Sequence, residues 1–520
     1  MNKQAFNPYL PSYEYIPDGE PHVFDGRLYI YGSHDRFNGA DFCLNDYICY
    51  SADVKDLTDF RYEGVIFRKD QDPRNQNIPA DTPPHRPGFA GFPDAGQDQL
   101  NPPGVHAMFA PDVVKGLDGR YYLYYCLDCL SAIGVAVCDS PAGKYEFLDF
   151  VRHEDGTVLG EREGDLFQFD PGVFIDDDDT VYLYSGNAPI RPEHITGGQD
   201  SQVMKLKKDM VTLAAEPRPL IPTIVNSEGT GYENHEFFEA SSIRKINEKY
   251  YFVYSSVRSH ELCYAVSDRP DEGYRFGGTL VDIGDVFLNG RTEKEAVNHL
   301  GNTHGGIEQA DGQWYVFYHR QTNRTQYSRQ GCAEKIYFRE DGSIPQAEVT
   351  SCGLNDGPLN GFGMYPAYIC CALIGKDGAG FSHPLAMQMK YPYLTQDCED
   401  VEPLSPGEED GRGESKAILE KDQPCQYIAN VADGSLIGYK YFKSGELKQI
   451  KVKIRGNAQG SLYVRTAPDG ENIGEIQIKA CGGAWTEAAG NVTLGTDSQY
   501  ALYFKYEGDG AFDFISFELS

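Results

Sequence analysis

The sequence predicts an all-β protein, a five-bladed β-propeller over residues 1–345 followed by a jelly-roll-like β-sandwich over residues 346–520. Three observations predict it. A period-two aromatic run recurs five times, a turn dipeptide precedes each copy, and beyond about residue 345 strand patterns of a different spacing take over. Composition agrees, since 56 Gly, 30 Pro, 36 Tyr and 28 Phe in 520 residues favour short strands and turns over long helices.

The runs are "GRLYIYG" around Tyr29, "GRYYLYYC" around Tyr122, "TVYLYSG" around Tyr182, "KYYFVYSS" around Tyr251 and "QWYVFYHR" around Tyr315. Their turns are Asp25-Gly26, Asp118-Gly119, Asp178-Asp179, Asn247-Glu248 and Asp311-Gly312, each after a shorter apolar stretch such as "HVF" or "GVFI". Each unit reads as a hairpin, and its recurrence fits blades of four antiparallel strands joined by variable loops. The widest gap holds a Pro/Gly-rich insertion, Arg68 to Gly104, which is expected to border the ligand site.

An ionisable residue precedes every hairpin at nearly the same offset. These are Asp18 in "PDGEP", Asp112 in "APDVV", Asp170 in "FDPGVF", Glu239 in "FFEASS" and His304 in "NTHGGI". A single Asp there is an ordinary turn residue. In a propeller, however, equivalent strand starts converge on the axis, so the five predict a central cavity. Crowding like charges costs free energy, and such clusters are kept for chemistry or for a cation.

Charge and composition narrow the function. With 46 basic against 78 acidic side chains the net charge is -32, which repels phosphates and anionic lipid, so neither nucleic acid nor membrane is an expected partner. No run approaches the ~18 apolar residues of a membrane span. The N-terminus lacks a secretory apolar region, and the 13 cysteines are odd in number and scattered, so a cytoplasmic protein with reduced thiols is expected. The Cys126/Cys129 pair has no second pair at zinc spacing and reads as core or loop. No phosphate loop, nucleophile elbow or Ser-His-Asp signature stands out. Carboxylates around a polar cavity point instead to glycoside hydrolysis, with one acid protonating the leaving oxygen and another acting on the opposite face of the sugar. Phe109, Phe169, Phe237 and Phe238 flank the acids, either as walls for a sugar face or as strand core.

The motifs "PDGEP", "APDVV..DGRYYLYY", "FDPGVFIDDD", "FEASSIRK..KYYFVYSS" and "HGGIEQADGQWYVFYHR" resemble glycoside hydrolase family 43 over about residues 7–340. The resemblance implies a five-bladed propeller of inverting glycosidases acting mainly on β-xylosides and α-L-arabinofuranosides. It makes Asp18 the general base, Asp170 the group that tunes the acid's pKa, and Glu239 the general acid. It assigns Phe109 and Phe238 to substrate walls, with Phe109 standing where many relatives have Trp, and Arg320 to the sugar hydroxyls. Through His304 it implies a central Ca2+ held by way of waters, although the chemistry itself requires no cofactor. Asp112 is expected to be structural, and Glu20 to point away from the cavity. Inversion implies a base-to-acid separation of about 6.5–9.5 Å, against about 5–5.5 Å for a retaining pair.

In the last third, "TQDCEDVEPLSPGEEDGRGESKA" reads as an exposed acidic loop. "KQIKVKIRG", "GSLYVRTA", "GEIQIKA", "YALYFKYEG" and "FDFISFEL" read as sandwich strands. Residues of about 380–520 resemble a family 6 carbohydrate-binding module, with Trp485 as the one tryptophan, and a scaffolding role is favoured over sugar binding. The expected activity is removal of terminal β-D-xylosyl and/or α-L-arabinofuranosyl residues from xylan- or arabinan-derived oligosaccharides. A homo-oligomer is compatible with the sequence. The rivals are a non-catalytic sugar-binding propeller and an arabinanase, galactosidase or fructan-active enzyme.

Overall fold

The computed structural model describes residues 3–37, 39, 41–82, 101–191, 201–323, 326–379, 392–400, 415–417, 426–445, 447–494 and 499–520. Residues 83–100 of the first-blade insertion, and most of the acidic loop, lie outside the described residues.

Five antiparallel sheets follow one another along the chain. Their first strands are Glu20–Phe24, Met108–Lys115, Gly172–Ile175, Phe237–Ile246 and Ile307–Ala310. Their second strands are the five aromatic runs, Arg27–Tyr31, Tyr121–Leu127, Val181–Ser185, Lys249–Ser256 and Gln313–Gln321. Asp25 and Gly26 have φ 49° and 79°, and Asp311 and Gly312 have φ 45° and 83°, the paired positive values of a tight hairpin turn that matches strand twist.

The run alternates because each second strand feeds two cores. Leu123 and Tyr125 pack with Tyr31 and Tyr47 of the first blade, whereas Tyr122 and Tyr124 pack with Val181 and Leu183 of the third. The same division repeats around the ring: Tyr182 and Tyr184 meet Phe252 and Tyr254, Tyr251 and Val253 meet Val316 and Tyr318, and Tyr315 and Phe317 meet Leu28 and Ile30. Both faces are buried, so neither alternate position is polar. Removing one of these rings costs roughly 3–5 kcal/mol, from lost burial plus the cavity left behind.

The fifth sheet has three strands, the last being Arg329–Ile336. The N-terminal segment covers its free edge: the Tyr9 amide donates to the Gly331 carbonyl at 3.1 Å, and Asn7 Nδ2 to the Ala333 carbonyl at 2.9 Å. The start of the chain thereby closes the ring. At the axis the blades approach too closely for a side chain at Gly172, where a Cβ would sit 2.4 Å from the Ser241 carbonyl oxygen.

Two further sheets form the sandwich. One pairs Tyr393–Gln396, Gln426–Ala432, Ala511–Leu519, Gln449–Gly456 and Gly482–Asn491 in that order, with Gly363–Pro366 beside Ala511–Leu519. The other runs Ala372–Ile374, Leu436–Lys443, Gln499–Asp509, Gln459–Arg465 and Gly474–Ile478. Leu462, Phe504, Phe514 and Phe517 lie in the core between them. Buried polar contacts tie this unit to the propeller. Gln426 Nε2 donates to Gln330 Oε1 at 3.0 Å, the Leu394 amide donates to the Thr322 carbonyl at 3.0 Å, and Lys440 Nζ lies 3.2 Å from Asp285 and 2.9 Å from Glu348. Among the described residues, eleven cysteines are free, and no helix is long and apolar enough to cross a membrane.

Candidate active site

A cavity of about 650 Å³ opens where the first strands begin, lined by Asp18, Asp170, Glu239 and His304 from four blades. Local backbone sets each acid. Asp18 and Asp170 sit at φ 56° and 43°, left-handed values that Asp tolerates better than bulkier residues. Around Glu239 the pairing register slips twice and Ala240 takes φ 72°, a bulge that re-aims the side chain at the start of an otherwise regular strand.

Asp18 and Asp170 are buried and Glu239 is partly buried, and the three carboxyls are held in different states. Burial opposes ionisation of Asp18, but the Arg329 guanidinium, 3.1 Å away, and then His319, at 3.2 Å, outweigh it and keep the group well below the usual carboxylate range. Glu239 is pushed well above that range, first by burial and then by the charges of Asp170 and Asp18. Asn187 Nδ2 donates to its Oε2 at 3.1 Å. Asp170 is also raised by burial, against the pull of His304, whose Nδ1 lies 3.4 Å from its Oδ2. That contact overcomes burial on the histidine side and raises His304 to about 9, so it is an imidazolium at neutral pH. One ionised and one protonated carboxyl in a single cavity is the division of labour that acid–base hydrolysis needs.

Aromatic rings make the walls. Phe109, Phe169, Phe238 and Phe42 line the cavity, with the Phe109 and Phe169 ring centroids 5.5 Å apart. The Phe109 carbonyl accepts a hydrogen bond from the Tyr47 hydroxyl, which fixes this wall from the first blade.

One expectation is corrected. Arg320 does not reach the cavity; it is buried, and Nη2 donates 2.7 Å to the Cys370 carbonyl while Nη1 faces Asn298. Alternation along Gln313–Gln321 turns it toward the sandwich, and the cavity arginine is Arg329. His304, expected to reach a central Ca2+ by way of waters, turns Nδ1 toward Asp170 Oδ2 at 3.4 Å. Each of three axial acids has a basic neighbour: Asp18 has Arg329, which also holds Asp35, Asp170 has His304, and Glu20 has Arg244 at 2.9 Å. Glu20, His22 and Asp112 form one group of potential metal donors, in which Glu20 Oε2 is buried without a hydrogen-bond partner among the described residues. Glu20 accepts from Ser242, and Asp112 meets His22 at 2.6 Å and accepts from the Val113 and Val173 amides at 2.7 Å. Glu20 and Asp112 therefore pin the first, second, third and fourth blades together.

Sequence reasoning missed Arg329 and its anchor. Arg329 grips Asp35 through Nε and Nη2, both at 2.9 Å, while Phe42 stacks at 4.7 Å. Neither Arg329 nor Asp35 repeats between blades, so periodicity gave no signal. Asn187 escaped for the same reason.

A profile of glycosyl hydrolases family 43 matches residues 91–344. A xylosidase/arabinosidase of Thermoclostridium stercorarium is 46% identical over 522 residues, covering 100% of this chain and 99% of its own. A xylosidase/arabinosidase of Bacteroides ovatus is 30% identical, covering 60% of this chain and 87% of its own. Among solved structures, a family 43 arabinoxylan arabinofuranohydrolase from Bacillus subtilis aligns over 99% of this chain and 97% of that one, at 20% identity and a TM-score of 0.47.

Proposed function

The chain belongs to glycosyl hydrolases family 43, and on that premise we propose that it is an inverting exo-glycosidase. It removes terminal β-D-xylosyl and/or α-L-arabinofuranosyl residues from xylan- or arabinan-derived oligosaccharides. The observation that carries this reading is one cavity lined by Asp18, with Arg329 at 3.1 Å from it, and by Glu239 and Asp170, where burial and the neighbouring acids favour the protonated form of Glu239. Glu239 donates its proton to the glycosidic oxygen as the bond to the anomeric carbon lengthens. Asp18, kept anionic by Arg329, takes a proton from water attacking the opposite face, and the anomeric configuration inverts. Asp170, beside His304, keeps negative charge near Glu239 and so favours its protonated form before each turnover. Apolar walls such as Phe109 and Phe238 shield the developing oxocarbenium ion from bulk water.

The test is hydrolysis of 4-nitrophenyl β-D-xylopyranoside and α-L-arabinofuranoside side by side. Release from either supports the activity, and the ratio names the preferred sugar. Silence on both counts against it.

The sandwich serves this propeller as a scaffold rather than as a family 6 carbohydrate-binding module. Trp485, the one tryptophan there, packs against Tyr427 with centroids 5.5 Å apart and lies under Arg455 at 4.4 Å, which leaves less of its ring for a sugar. The unpaired cysteines, most of them buried, support residence in a reducing cytoplasm.

A further inference from the structure

Arg258 lines the catalytic cavity and also a second, more open cavity of about 680 Å³, shared with Phe287, Arg291, Glu293 and Lys294. The two spaces therefore meet at Arg258, which walls both. Resting on the glycosidase reading above, we propose that the second space is the aglycone site and that it takes an oligosaccharide bearing a uronic acid. When a terminal sugar occupies the inner cavity, the remainder of the chain must leave through its mouth, and Arg258 stands at the shared edge.

Two independent observations support this occupant. The first is Phe287, which holds φ 71°, a left-handed conformation that is a true outlier for a bulky side chain. Such strain collects at ligand sites. Here it sets the ring beneath the Arg258 guanidinium, 5.0 Å from the centroid, as a flat cation–aromatic ledge. The second is charge. In a chain of net charge -32, this depression gathers Arg258, Arg291 and Lys294, with Arg191 on the inner cavity's lining. Glu293 offsets Arg258 at 2.8 Å. Arg291 lies 3.7 Å from Asp285, a buried acid already paired with Lys440 at 3.2 Å. Lys294 and Arg191 are exposed and have no ion-pair partner among the described residues. On the lining of the second space alone, Arg258, Arg291 and Lys294 face one acid, Glu293, so the surplus there is positive, and a guanidinium fork matches the geometry of a carboxylate.

The experiment uses the full-length Glu239→Gln protein, which retains the substrate, and calorimetric titration with xylotetraose and with the same tetrasaccharide carrying one glucuronic acid branch. The acidic sugar is expected to bind about fivefold more tightly at low ionic strength, the scale of a few exposed ion pairs. That preference should fall toward unity in about 0.5 M NaCl and in the added Arg291→Gln/Lys294→Gln pair. Equal affinities, a preference indifferent to salt, a preference that survives the double substitution, or binding of neither sugar overturns the proposal. Turnover of aryl glycosides by the unaltered chain is scored separately. Turnover without acidic preference removes only this site, whereas acidic preference without turnover removes the glycosidase reading and leaves the anion site standing.

Discussion

Arg329 reaches two acids at once, donating from Nη1 to Asp18 at 3.1 Å while its Nε and Nη2 hold Asp35 at 2.9 Å. Asp18, the proposed base, is thus oriented by a residue that is itself clamped. Replacing Arg329 by Met leaves the shape of the stem but removes the charge that keeps Asp18 low. Expected is a fall in kcat of about 10²- to 10³-fold and an acid limb of the pH–rate profile displaced to higher pH, because Asp18 now protonates more readily. A reduced rate with an unmoved acid limb would mean that Arg329 does not set the base.

Glu239→Gln keeps the size of the acid and the contact to Asn187 but has no proton to give. Xylobiose, with a poor leaving group, is expected to lose turnover by about 10³-fold or more, and an aryl glycoside with a good leaving group by far less. Asp18→Asn removes activation of water and is expected to abolish both. Parallel losses on the two substrates in Glu239→Gln would contradict its role as acid.

His304 supplies a stability prediction with a definite sign. Its folded pKa is raised from 6.5 to about 9 by Asp170. The stabilisation it contributes is therefore fully present below about pH 6.5 and disappears as pH rises toward about 9. The melting temperature of the unaltered chain should fall more steeply across that window than that of His304→Gln. Parallel slopes would show that the imidazolium–Asp170 pair is not formed.

Dialysis against EDTA is expected to leave both kcat and the melting temperature unchanged, since Glu20, Asp18 and Asp170 each already have a basic side chain, Arg244, Arg329 or His304, beside them. Loss of activity restored by calcium would contradict this.

The features legible in the sequence are those that repeat. The five hairpins showed through because each aromatic strand feeds two neighbouring cores, so the pattern had to recur. Of the five offsets from those hairpins, Asp18, Asp170, Glu239 and His304 reach one cavity, whereas Asp112 is spent on His22 and on the Val113 and Val173 amides. Arg320 was misplaced because its direction depends on strand alternation and on the sandwich carbonyl that receives it. Arg329 and Asp35 lie far apart in sequence and meet only when the first and fifth blades close the ring. Such a pair is fixed by topology, and no local pattern reports it.

The most direct test of the account follows the anomer released at first turnover from a β-xyloside by proton NMR. Asp18 acting through water and Glu239 as the acid predict that α-xylose appears first and then mutarotates. Initial formation of β-xylose would mean a covalent intermediate and a carboxylate nucleophile, and would contradict the assignment of both residues.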